Sequence, residues 1–202
     1  ELEDLEVNSE TIALKERLLE AQGNTHELAL LWLEEGLSER SGWEDEESFK
    51  RLNNASDYFL SIENDELELR ALKRFLPALK VGDDKHERLI ELCAAAQDRE
   101  EFDAAVGRGT EYQPNSEAGD TRAVRYADLS FEYFGDLEAS ISLLEEQFHL
   151  RPSVNLAKEL EQYYNEGKRP SDAYRIYQEL LSENKDNDTA RGFCLKYSSQ
   201  EQ

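Results

Sequence analysis

Basic residues are scarce in this chain: 23 Lys and Arg stand against 46 Asp and Glu, for a net charge of −23. A surface of that sign repels a phosphate backbone, which excludes duplex and single-stranded nucleic acid as partners. Long apolar runs are missing too. No stretch approaches the roughly 18 residues a membrane helix needs, and the first ten residues, ELEDLEVNSE, have neither the basic start nor the apolar core of a signal peptide. Methionine is absent, even at position 1, as expected of a mature form or an excised piece of something longer. The three histidines, His26, His86 and His149, fall at no metal-ligand spacing, and His26-Glu27 and His86-Glu87 lack the second histidine of a zinc-protease helix. All three read as surface residues. Gly107-Arg108-Gly109 has no third glycine and no preceding strand, so it is no nucleotide loop.

What is present is helical patterning. An apolar fraction of 39% beside 34% charged residues suits helices with one buried stripe and one wet face. The stretch 121–185 lies on itself at an offset of 33 residues: Val124, Ala127, Phe131, Ser140 and Leu144 answer to Ala157, Leu160, Tyr164, Ala173 and Tyr177. Each copy reads as two amphipathic helices broken in the middle, at Phe134 to Asp136 and at Glu166 to Pro170. Leu144 and Tyr177 are expected to be buried at equivalent sites.

This spacing resembles the tetratricopeptide repeat (TPR), whose W-x2-L-G-x2-Y, A-x3-F and P positions run over about 34 residues. Val124 and Ala157 stand where that family favours Trp, Asp128 and Glu161 where it favours Gly, and Gln147 and Leu180 where it favours Ala; Pro152 matches the closing Pro and Lys185 does not. The resemblance implies an all-α, right-handed superhelical solenoid over 1–202. Its hairpins would cover about 9–42, 44–82, 83–116, 118–152 and 153–186, followed by a terminal helix at 188–199 that caps the last hairpin or begins a sixth. In such an array, segments far apart in sequence do not touch. Cys93 and Cys194 are therefore expected as two buried thiols rather than a disulfide.

Along the chain, Ser9 offers an N-cap, Gly23-Asn24 a break, and Thr25 to Leu37 a second helix. Leu14 and Leu18 join Ile12 on the first helical stripe, and Phe49, Leu52, Ala55, Phe59 and Ile62 mark another. Asn64-Asp65 turns the chain; Leu72, Phe75 and Leu76 follow, and Pro77 should kink or end the helix. Asp83-Asp84 starts the next helix. The segment Glu100 to Tyr112 has two readings, because Gly107 and Gly109 each cost about 1 kcal/mol relative to Ala: a thin helix packed close to its neighbour, or an early helix end.

Since no catalytic cluster appears, function should lie in surface binding without intrinsic catalysis, cofactor or metal. Residues 1–66 hold 19 acids and 5 bases, so Glu44, Asp45, Glu46 and Glu47 are candidate contacts for a protein with a basic face or a cationic polysaccharide. Arg122, Arg125 and Lys158 lie on the helices that line the inner surface in the resembled family, where some members clamp a peptide carboxylate. Leu129 and Gln162 occupy the places where a clamp would use Asn. Tyr133 and Tyr163, on alternate helix faces, are candidates to reach a ligand. The chain is also similar to the TPR regions of bacterial proteins that export exopolysaccharides such as Pel, alginate or poly-N-acetylglucosamine. That similarity implies a scaffold in the periplasm or cell envelope. The alternative is a cytoplasmic adaptor or chaperone-associated module holding a peptide tail.

Overall fold

The computed structural model describes residues 9–37, 46–74, 76–183 and 185–198. Every regular element among them is helical. The chain divides into two compact units, Glu1–Leu92 and Cys93–Gln202. The first holds α1 (Ser9–Gln22), α2 (Thr25–Leu37), α3 (Glu46–Ser61), α4 (Asp65–Arg74), a 3-10 turn at Leu76–Ala78 and most of α5 (Asp84–Ala95). The second holds α6 (Arg99–Glu111), α7 (Glu117–Phe134), α8 (Leu137–Leu150), α9 (Val154–Glu166), α10 (Pro170–Glu183) and α11 (Asp188–Ser198). Phe75 and the 41–45 break lie outside the described residues.

The turns explain why the helices stop where they do. At Gly23-Asn24, Glu63-Asn64, Gln97-Asp98 and Lys168-Arg169 the first residue is left-handed, with φ between 55° and 65°. Its N–H reaches back three residues, while the next N–H reaches back five. These paired bonds satisfy carbonyls that a helix end leaves open, the Schellman arrangement. At the end of α7 the spacing is wider: the Gly135 N–H reaches the Phe131 carbonyl, four residues back, and the Asp136 N–H reaches the Ser130 carbonyl, six back, at 3.5 Å. Asn24, Asn64, Asp98 and Asp136 then each accept a hydrogen bond from the backbone N–H three residues on. One Asn or Asp thus ends one helix and caps the next. Glu63, Gln97 and Lys168 hold φ values of 55° to 56° that cost a side-chain-bearing residue roughly 1–2 kcal/mol. Lys168 is exposed, so Lys168→Gly should raise stability by about 0.5–1 kcal/mol after the glycine's entropy is counted. A shift of the urea midpoint to higher concentration checks this; a lower midpoint would contradict it.

In the first unit α2 packs on α1, α3 and α4, burying Leu28, Leu33, Leu52, Phe59 and Leu72. Gly36 permits the close approach of α2 to α3: a Cβ there would stand 2.4 Å from Leu52 Cγ. Contrary to the expected stripe, Leu14 and Leu18 are 64% and 57% exposed and Ile62 points outward. α1 is an outer helix that turns Ile12, not Leu14, inward. Helix α4 ends at Arg74, ahead of Pro77, which sits in the 3-10 turn.

His86 also departs from expectation, for it is fully buried. Its spacing from Leu89, Ile90 and Cys93, all buried, places it on the inner stripe of α5. Among the described residues neither ring nitrogen has a hydrogen-bond partner. Cys93 is buried as expected, while Cys194 is only partly so.

In the second unit consecutive helices pack in order from α6 to α11, and α7 also packs on α9. Glycines do not end α6 early. It runs through Gly109, where a Cβ would meet the buried Tyr126 ring at 2.5–2.9 Å; Gly107 faces open space. Helices α8 and α10 are each 14 residues long with both ends displaced by 33. Leu144 and Tyr177 are buried, as are Ala127 with Leu160 and Ser140 with Ala173. The register fails at Phe131, which is 37% exposed while Tyr164 is fully buried. Tyr163, one position earlier, meets the Phe131 ring edge-on at 5.6 Å.

Candidate functional site

Two N-caps set the helices that frame a groove between α7 and α9. The Ser116 hydroxyl accepts from Gly119 N at 3.0 Å to start α7, and Ser153 accepts from Leu156 N at 3.2 Å to start α9. Where the two helices meet, Val124 and Leu156 form an apolar floor beneath Glu117, Asp120, Arg151 and Glu159, enclosing about 430 Å³. Residues 117, 120, 124 and 128 recur at three and four residues, as do 156, 159 and 163, so each set lies along one helix face.

The charges in this groove are not equivalent. Asp120 is paired with Arg151 and accepts from Gln147 Nε2 at 2.8 Å, so its charge is compensated. Glu117 and Glu159 make no ion pair among the described residues. Burial raises the Glu159 carboxyl above its ordinary value, and the neighbouring Asp128 adds to the effect. Asp128 in turn accepts the Tyr163 hydroxyl at 2.6 Å. The groove therefore presents a net negative lining over an apolar base.

Beside it lies a set of phenol–carboxylate bonds that tie the helices together. Tyr163 bonds Asp128, Tyr164 bonds Glu145, and Tyr177 bonds Glu161 at 2.8 Å. Arg175 reaches Glu145 at 2.6 Å from the other side. Burial first, and the carboxylate partner second, push all three phenols well above the usual tyrosine range. Tyr163, a candidate to reach a ligand from sequence, is thus 7% exposed and committed to holding α9 against α7.

The other sequence candidates are dispersed. Arg122 is half-buried: its guanidinium donates to the carbonyls of Gly109 and Tyr112 and lies over the Tyr112 ring. It fastens the 109–112 segment and is not available to clamp a carboxylate. Arg125 and Lys158 are exposed on α7 and α9, outside the groove lining. Tyr133 is 37% exposed. Glu46 is exposed, and Glu47 pairs with Arg51 at 2.8 Å, which also holds Glu16 at 2.7 Å. Glu44 and Asp45 lie outside the described residues.

No family model, curated protein or solved structure matches this chain. The groove is accordingly read from its own chemistry. Among the described residues no three His, Cys, Asp or Glu side chains gather as a metal site, and no helix is long and apolar enough to cross a membrane. Sequence reading missed Glu117 and Glu159 because acids abound in this chain. The available signal was helical spacing: Glu117 stands seven residues, two turns, before Val124, and Glu159 three residues after Leu156, so each shares a helix face with its apolar neighbour.

Proposed function

We propose that this chain is a non-catalytic scaffold of TPR-like helical hairpins that binds a cationic segment of another protein along the α7–α9 groove. The observation that carries the reading is the pair of carboxylates, Glu117 and Glu159, over the Val124 and Leu156 floor, with Arg122 turned to backbone carbonyls nearby. A lysine or arginine suits such a groove, because its aliphatic stem covers apolar surface while its head meets carboxylates. Acidic character in residues 1–66 would draw a cationic partner toward the molecule and speed encounter.

Both settings implied by the resemblance supply such cations: a basic peptide for an adaptor, or a partly deacetylated amino-sugar polymer for an export scaffold. The apolar floor, which the stem of a lysine or arginine can cover, favours the peptide.

The test is anisotropy of a labelled short serine peptide bearing one lysine, at low salt. The double variant Glu117→Gln, Glu159→Gln should bind about tenfold more weakly than the parent, a loss of ~1.4 kcal/mol. Acidification should weaken the parent through a pH above the ordinary glutamate range, since binding needs the Glu159 carboxylate and its proton affinity is raised. Equal affinity of parent and variant would remove the groove from consideration.

A further inference from the structure

A second groove opens beside the first. Pro114, Ala123, Leu143 and Leu150 give it an apolar base, Glu111 and Glu146 stand at its rim, and it encloses about 350 Å³. Leu150 is 55% exposed, although Ile141, Leu144 and Phe148 on the same helix are buried. The two grooves adjoin. Leu150 lines one and Arg151 the other, and consecutive Cα atoms are about 3.8 Å apart.

The wall between them is built from side chains with fixed partners. Gln147 is 5% exposed and donates through Nε2 to the Pro114 carbonyl at 2.6 Å and to Asp120 Oδ1 at 2.8 Å. Asp120 holds Arg151 with its other oxygen. Gln147 thus faces the apolar groove while its acceptor Asp120 faces the acidic one. A wall whose every polar member is bonded keeps both grooves open before any partner arrives.

Resting on the cationic reading of the first groove, we propose that the two are read together by one extended peptide. A leucine-sized apolar side chain would seat against Leu143 and Leu150 while a lysine or arginine a few residues away seats between Glu117 and Glu159. The rim acids Glu111 and Glu146 favour a segment with positive flanks. An amino-sugar polymer supplies the cation without the apolar side chain, and so would fill one groove only.

The experiment uses the whole chain and four probes in anisotropy at moderate salt: short serine peptides carrying leucine and lysine two to four positions apart, lysine alone or leucine alone, and a glucosamine oligomer competing against each. For at least one spacing, the leucine–lysine peptide should bind about tenfold tighter than the lysine peptide. Leu150→Ser, at an exposed position that should leave folding intact, should abolish that advantage and leave the lysine peptide unchanged. If leucine gives no advantage at any spacing, or the advantage survives Leu150→Ser, the two-groove inference is overturned. The cationic groove itself is judged separately, by the response of the lysine peptide to Glu117→Gln, Glu159→Gln. A glucosamine oligomer that displaces the leucine–lysine peptide as readily as the lysine peptide would also overturn the inference.

Discussion

Tyr177→Ala should lower the stability of the second unit by about 3–5 kcal/mol, against about 1–2 kcal/mol for Tyr177→Phe. The ring is 1% exposed, stacks on Phe193 at 4.1 Å and donates its hydroxyl to Glu161 at 2.8 Å. Alanine removes the aromatic volume and leaves α10 and α11 facing a cavity, a cost that adds to the lost transfer energy. Phenylalanine keeps the volume and removes only the hydrogen bond, while the partly exposed Glu161 recovers water. Urea unfolding followed by helical circular dichroism and tyrosine fluorescence separates the two; both tryptophans, at 32 and 43, belong to the first unit. A Phe variant as damaged as the Ala variant would show that the bond, not the packing, dominates.

Gly109→Val should cost about 3 kcal/mol, while Gly107→Ala two positions away should gain about 1 kcal/mol. Both substitutions improve the intrinsic helix preference of α6, so any difference in sign comes from packing. At Gly107 an added Cβ meets nothing within 4 Å. At Gly109 it stands 2.5 Å from the Tyr126 hydroxyl and 2.7 Å from its ring. Tyr126 is fully buried and has no room to give way, so α6 and α7 must separate. Thermal unfolding of the two variants with the parent as reference is the measurement. A stabilised Gly109→Val would mean that Tyr126 can find another rotamer and that the helices do not depend on this approach.

Helices were legible from sequence where apolar spacing was strong. The 33-residue offset anticipated the matched ends of α8 and α10 and the burial of Leu144 and Tyr177. Asn and Asp marked the turns because they bond backbone locally. The left-handed residues Glu63, Gln97 and Lys168 were illegible, since nothing in those side chains favours that conformation. His86 was misread for a related reason: residue type argued for the surface, and its position between Asp83 and Leu89 on a helical stripe argued for the core. At the groove, arginine and lysine attracted notice as rare charges in an acidic chain. Rarity did not place Arg122 in a site, because two carbonyls of the 109–112 segment stood nearer than solvent. Which acids remain without a counter-charge depends on tertiary neighbours such as Gln147 and Arg151, more than twenty residues from Asp120.

The turn bonds reach back no more than six residues, and in the second unit α6 to α11 pack mainly on their neighbours in sequence, the larger skips being of one helix, as in α7 against α9. Little loop entropy must then be lost before a contact is rewarded, because each closure joins segments already near one another. Low contact order of this kind accompanies folding in microseconds to milliseconds in helical domains. A nascent chain could complete each hairpin soon after its second helix is made, so the apolar faces of α7 to α10 would spend little time uncovered. That brevity protects a sequence with many buried aromatics from encounters with other unfinished chains.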